Sequence, residues 1–388
     1  MTPQELEELR AQALDHVNAG QMDEALQVFA TVAEHDPDAA DGWINLAAAE
    51  RGVGRLALAA EHFRKGVDLL RQAGHEDKGL LATALHALGS TLEALELTDE
   101  AAAAYRESAR NDPRAPTPLA ALSTLLARAG HLREADKVAT EYCLAAVSIL
   151  AEKQNIAQVR QFQRALKDAA TVDGNLILVA TREAYARSFE ETVAKLPEGV
   201  QIEAEPYTHG PGGEAVPVLV DADRPFSRVR FDAIEPKTRE RWMIHDAPTY
   251  GFPKDCPAAV DGLFSVPYPA DLPFPMLICT RTAWDYFFIR LRFAHGLRPT
   301  TLARAEEELG AWYLSGVSGK FAEGGRGFFH FLSRPLQIGA SGLRYEVDLG
   351  LAQLEAIPAL FEALKRLHAQ EPIEIAVLGD GALPLSAG

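Results

Sequence analysis

A histidine, an aspartate, a tyrosine and a thiol crowd one stretch of this chain: His245, Asp246, Tyr250 and Cys256, with Tyr268 beyond them. Such residues could supply a general base, an orienting carboxylate and a nucleophile if folding brought them together. Residues 245–275 show little helical or strand period, and loops longer than about 12–15 residues are usually functional or disordered. The aromatics Tyr250, Phe252, Phe264 and Tyr268 argue against disorder. Two readings fit, a loop lining a pocket or a loop pinned to a sheet by its rings. Because the spacing matches no catalytic signature, the second is preferred.

Other chemical signals are weaker. The motifs G-x-S-x-G, H-E-x-x-H and G-x-G-x-x-G do not occur, and GVSGKF at 316–321 lacks the length and the hydroxyl of a phosphate-binding loop. FAEGGRG at 321–327, glycine-rich with one arginine, reads as a flexible loop before the strand GFFHFLS in preference to an anion cradle, and HGPGG at 209–213 reads as a turn between strands. The three cysteines, Cys143, Cys256 and Cys279, have neither C-x-x-C spacing nor a nearby histidine at ligand intervals. No catalytic residue, metal or cofactor is therefore assigned. The net charge of −17 makes nucleic acid a poor partner, and no apolar run reaches the roughly 18 residues of a membrane span. The opening MTPQELEELR reads as a capped helix, not a leader, so a cytoplasmic chain of bacterial type starting near residue 1 is expected.

Proline usage divides the elements that position these residues. Residues 1–170 hold five prolines, four of them between helical segments, whereas 197–275 alone hold thirteen. The expected domains are 1–170, an α-solenoid of helical hairpins, and 171–388, a mixed α/β domain.

In the first region the helical pattern repeats. If each closing proline is position 32 of a 34-residue unit, units start at Leu6, Ala40, Ala82 and Pro116, with an eight-residue insertion after the second. Position 20 is then Ala25, Ala59, Ala101 and Ala135, and position 24 is Phe29, Phe63, Tyr105 and Ala139. Trp43, Leu46 and Gly54 fill positions 4, 7 and 15 of the second unit; Leu88 and Gly89 fill 7 and 8 of the third. Small residues let paired helices approach, and the ring one turn later fills the gap toward the next unit. No unit can bury its apolar face alone, so the units must stack.

This pattern resembles the tetratricopeptide repeat family over about residues 5–150. The resemblance implies a groove lined by the first helix of each unit, at positions 2, 5, 6, 9, 12 and 13. Those positions include Arg10, Asn45, Arg51, His86, Ser90, Glu93 and Arg128. Of the five clamp positions by which some members hold a terminal carboxylate, only Arg10 and Asn45 match; Leu14, Thr83 and Ala87 do not. The resemblance therefore implies a groove that docks, through Arg10, Asn45, Arg51, His86, Ser90 and Arg128, an extended or helical segment of a protein or peptide partner, or of the chain's own C-terminal domain.

Beyond residue 171, NLILVA at 175–180 reads as a buried strand, followed by a helix at 182–196 and the strands VQIEAE, AVPVLVD and RVRFDAI. Near the end LRYEVDLG alternates, LEAIPALFEALKRLH is helical, and IEIAVLG is a closing strand. The leading expectation is an adaptor whose repeats dock a partner and whose α/β domain offers a second surface. The rival is an enzyme with its site at 245–275.

Overall fold

The computed structural model describes residues 1–73, 78–147, 153–209, 215–217, 228–244, 252, 256, 258–322 and 328–386. The chain divides into two compact units, Met1–Gln163 with Pro384–Gly388, and Arg164–Leu383.

The first unit stacks helical hairpins: α1 (Pro3–Asn18) with α2 (Met22–His35), α3 (Ala40–Gly52) with α4 (Leu56–Gln72), α5 (Lys78–Ala94) with α6 (Thr98–Asn111), and α7 (Thr117–Arg128) with α8 (Leu132–Val147). The helix α9 (Lys153–Ala169) follows. Thr2 caps α1, its hydroxyl accepting the Glu5 N–H at 3.2 Å while Glu5 Oε2 accepts the Thr2 N–H at 2.7 Å.

The register holds at every unit. Ala25, Ala59, Ala101 and Ala135 are all 0% exposed, and Phe29, Phe63 and Tyr105 are buried beside them. Position 15, where the first helix turns into the second, is left-handed four times: Gly20, Gly54 and Gly130, with Glu96 at φ 60° in the third unit. Successive second helices are laced by one repeated pair, position 25 to position 19: Arg64 to Glu100, and Arg106 to Glu134 at 2.6 Å. Thr140, the equivalent residue of the fourth unit, accepts from Gln163 Nε2 at 3.1 Å, which carries the lacing onto α9. Within the same unit, the Leu385 N–H donates to His131 Nε2 at 3.2 Å, and the Ser386 N–H and hydroxyl donate to Asp99 at 2.8 and 2.9 Å.

The second unit carries two sheets among the described residues. One is a four-stranded antiparallel sheet in the order β2 (Ala215–Pro217), β1 (Gln201–His209), β3 (Arg228–Ile234), β4 (Arg241–Met243). The other runs β5 (Ser265–Pro267), β6 (Met276–Cys279), β11 (Ile373–Leu378), β7 (Phe287–Phe293), β10 (Gly342–Asp348), β8 (Phe331–Leu332), with β9 (Leu336–Ile338) also on β10. Its helices are α10 (Gly174–Val193), α11 (Pro299–Val317) and α12 (Ala356–Gln370). The alternation of β10 appears as two faces. Leu343, Tyr345 and Val347 lie opposite Leu291, Ile289 and Phe287, all 0% exposed, while Arg344 lies opposite Arg290 on the other face. Ile357, Leu360, Leu364 and Leu367 form the buried stripe of α12, and Phe361, half-buried at its margin, meets Tyr268 edge-on at 5.3 Å.

One expected strand is a helix. Residues 175–180 form the first turns of α10, which Asp173 caps by accepting the Asn175 N–H at 2.9 Å. Ile177, Thr181, Tyr185 and Phe189, four apart, make one buried stripe running through both the expected strand and the expected helix. A six-residue apolar run has no period of its own, and only its continuation shows which element it belongs to.

Candidate functional site

The first helices of the units neighbour one another, with α5 touching both α3 and α7. Residues at equivalent positions therefore meet across units, and three of the six candidate groove residues, His86, Ser90 and Arg128, gather around a further group, Glu93. Arg128 Nη1 on α7 donates to Glu93 Oε1 at 2.7 Å, and the Tyr105 hydroxyl on α6 donates to Glu93 Oε2 at 3.0 Å. The His86 ring lies against the Tyr105 ring with centroids 5.5 Å apart. Gly89 makes room for that ring, since a Cβ there would sit 2.7 Å from Tyr105 Cδ1.

Charge is unevenly used on this floor. Glu93 has both oxygens engaged. Burial, and next the Glu93 charge, push the Tyr105 phenol above its ordinary range, so it stays a donor at neutral pH. Burial, followed by the Arg51 charge on α3, holds His86 below the usual imidazole value against the opposing pull of Glu93. His86 Nδ1 is buried without a hydrogen-bond partner among the described residues. Arg51 is exposed and, among the described residues, has no ion-pair partner. The floor thus holds one neutralised carboxylate and one buried imidazole nitrogen without a partner among the described residues.

Two further candidates stand apart. Arg10 is enclosed by Glu7, Asp36 and Asp41 at 3.4, 3.2 and 3.4 Å, so three carboxylates already occupy it. Asn45 is half-buried and its amide makes no hydrogen bond among the described residues. Glu93, which organises the floor, was legible only as one groove position among many. The signal for it was the opposite charge at position 13 of the next unit, Arg128.

In the second unit His245, Asp246 and Tyr250 lie outside the described residues. Cys256 is half-buried with a free thiol, and its carbonyl accepts the Ala259 N–H at 2.9 Å. Phe252 lines a cavity of about 270 Å³ with Val260, Asp261, Thr280, Arg281 and Thr282. The sequence reading passed over a polar pair elsewhere, His330 Nδ1 with Asp348 Oδ2 at 3.2 Å. The backbone ties this pair into the sheet: the His330 N–H donates to the Asp348 carbonyl at 3.0 Å, and the His330 carbonyl accepts from Tyr313 and Val229.

Residues 38–114 match the tetratricopeptide repeat family. The match covers the second and third units, which supply Arg51, His86, Ser90, Glu93 and Tyr105. Among solved structures the chain is similar to MamA, at 17% identity over 42% of this chain and 84% of that one, with a TM-score of 0.35. It is also similar to the first tetratricopeptide domain of Spaghetti (RPAP3) bound to the HSP90 peptide SRMEEVD, at 18% identity over 36% and 97%, TM-score 0.29. A third is YrrB, a tetratricopeptide protein with an unusual peptide-binding site, at 16% identity over 40% and 76%, TM-score 0.32. No curated protein matches the chain.

Proposed function

We propose that this chain is a protein-interaction adaptor whose tetratricopeptide array holds a segment of a partner against the first helices α1, α3, α5 and α7, with the α/β domain, expected at 171–388, as a second interaction surface. The observation that carries the reading is the shared floor. His86 and Ser90 on α5 and Arg128 on α7 come from two successive units and gather about Glu93, which suits an extended or helical segment lying across them. The net charge of −17 favours partners that are neutral or basic overall. No helix among the described residues is long and apolar enough to cross a membrane. The bacterial cytoplasm belongs to the same proposal, and the sparse cysteines are compatible with a reducing compartment.

The test is affinity purification of the intact chain beside Ser90→Trp, with mass spectrometry of what co-elutes. Ser90 is half-buried on the floor, so an indole there would obstruct the face. Partners captured by the wild-type chain and lost by Ser90→Trp are expected, with the helical circular dichroism signal unchanged. An identical set of partners on both chains would remove the groove from the account.

A further inference from the structure

We propose that the turn edge of the third and fourth repeat units is a second docking site on the array, separate from the groove. It takes an extended, uncharged segment through two main-chain N–H groups and a serine or threonine hydroxyl, and the segment it holds is the chain's own Pro384–Ser386. Asp99 stands in the first turn of α6, and His131 in the turn between α7 and α8. Both belong to the same compact unit as the segment.

The acceptors are set in advance. The His131 backbone is fixed at both ends, its N–H donating to the Leu126 carbonyl and its carbonyl accepting the Ala135 N–H, each at 2.9 Å. Its Nε2 accepts the Leu385 N–H at 3.2 Å. Asp99 spends both carboxylate oxygens on one residue, Oδ1 on the Ser386 N–H at 2.8 Å and Oδ2 on the Ser386 hydroxyl at 2.9 Å. These partners lie 254 and 287 positions apart in sequence, so no local turn accounts for them, and the segment straps two neighbouring hairpins together. Gly381–Ser386 form neither helix nor strand, and Ala382 and Leu383 are only 7% and 6% exposed. Pro384 keeps the residue before it extended.

The site is not a general property of the repeat. Asp99 and His131 hold positions 18 and 16 of successive units; the same positions carry Asp23 and Arg55 at the first junction, and Ala57 and Leu97 at the second. Arginine has no acceptor, and the alanine–leucine pair has no polar group at all. The chemistry also sets what is refused. A carboxylate in place of Ser386 would meet the charge of Asp99 at hydrogen-bond range.

The test is amide hydrogen exchange of the intact chain, resolved at Leu385 and Ser386 by mass spectrometry. Both amides should exchange at least about ten-fold more slowly than in a free peptide spanning 381–388, the scale of one charge-assisted hydrogen bond. Asp99→Ala and Ser386→Glu should each bring Ser386 to the free-peptide rate, and His131→Ala should do so for Leu385, whereas Ser386→Thr should keep the protection. Ser386→Glu leaves Asp99 and His131 in place, so a disturbed helix cannot account for its effect. Free-peptide rates in the wild-type chain, or protection that survives both Asp99→Ala and Ser386→Glu, would overturn the site. A loss in Ser386→Thr equal to that in Ser386→Glu would overturn the hydroxyl as the group that is read. The groove stands in every case, because neither Asp99 nor His131 is among its residues.

Discussion

Each alanine at a helix crossing of the repeat unit has three equivalents, whereas each buried ring of the second unit occurs once. Ala25, Ala59, Ala101 and Ala135 do the same job in successive hairpins. Phe329 is 0% exposed between Trp312 at 4.8 Å, Tyr313 at 6.2 Å and Phe321 at 5.5 Å, and nothing among the described residues duplicates that cluster. Contacts in the array join neighbours in sequence, so its stability is distributed along a line. In the larger sheet, the last strand β11 sits between β6 and β7, so its core exists only when distant segments have met. A lesion in the first unit should therefore be graded, and one in the second concentrated.

The largest effect expected is in the second unit. Phe329→Ala removes a ring at the centre of a four-ring cluster and should cost about 3–5 kcal/mol. In a calorimetric scan the loss should fall on one transition and leave the strongly helical one in place. A matching downward shift of both would show that the two units melt as one.

In the array, Ala59→Trp should cost about 1–3 kcal/mol by overpacking the 0%-exposed crossing of α3 and α4, while Ala57→Trp, on the exposed side, should cost little. Equal shifts in melting temperature would break the 34-residue register. We also propose that residues 1–170 fold without the remainder, giving a cooperative helical melt. A spectrum dominated by coil would refute this.

The same contrast explains what could be read in advance. Four copies of one pattern, a small residue followed in three of them by an aromatic one turn later, let a weak signal add to itself, and each unit turns at position 15 as counted, although α1 and α5 begin at Pro3 and Lys78, ahead of the counted starts Leu6 and Ala82. The second unit offered one instance of each element. Where alternation was strict, as in β10, the strand was legible; where six apolar residues stood together at 175–180, helix and strand looked alike until Asp173 and the stripe through Tyr185 and Phe189 decided it. The groove residues were legible as positions because the unit fixes which helix face they occupy. Their arrangement was not, since it depends on which cation finds a carboxylate: Arg10 is spent on Asp36 and Asp41, Arg128 on Glu93, and Arg51 on neither.

Two smaller effects sharpen the register further. Glu96 holds the left-handed φ of 60° that glycine supplies at position 15 elsewhere, a conformation that costs an L-residue about 1 kcal/mol or more. Glu96→Gly should therefore raise the melting temperature of the array, and a lowered one would mean that the side-chain interactions of Glu96 outweigh the strain. His86, held below its ordinary value by burial and by Arg51, binds its proton less well folded than unfolded. Stability from this group is complete above the unfolded value near 6.5 and is lost as pH falls toward the folded one. His86→Gln should therefore narrow the gap in melting temperature between pH 7.5 and pH 5.5, and an unchanged gap would assign the acid sensitivity to other groups.

The smallest effect tests whether the ion lacing is part of the repeat or only decorates it. Position 25 pairs with position 19 of the next unit at the second and third junctions, through Arg64 with Glu100 and Arg106 with Glu134. At the first junction the same positions hold Ala30 and Leu58, and Leu58 is 45% exposed. These side chains sit near the surface, where an ion pair contributes about 0–1 kcal/mol and salt screens it. Ala30→Arg with Leu58→Glu should rebuild the missing rung. The double variant should melt higher than the sum of the single variants implies, by a coupling of about 0.2–1 kcal/mol at low salt. Replacing Leu58 also removes exposed apolar surface, so each single variant shifts stability by itself and only the coupling reports the pair. The coupling should shrink toward zero in 1 M salt, where the screening length is about 3 Å. A coupling that is absent at low salt would mean that the first junction is spaced differently from the other two, and would place Leu6 outside the register that the later units share.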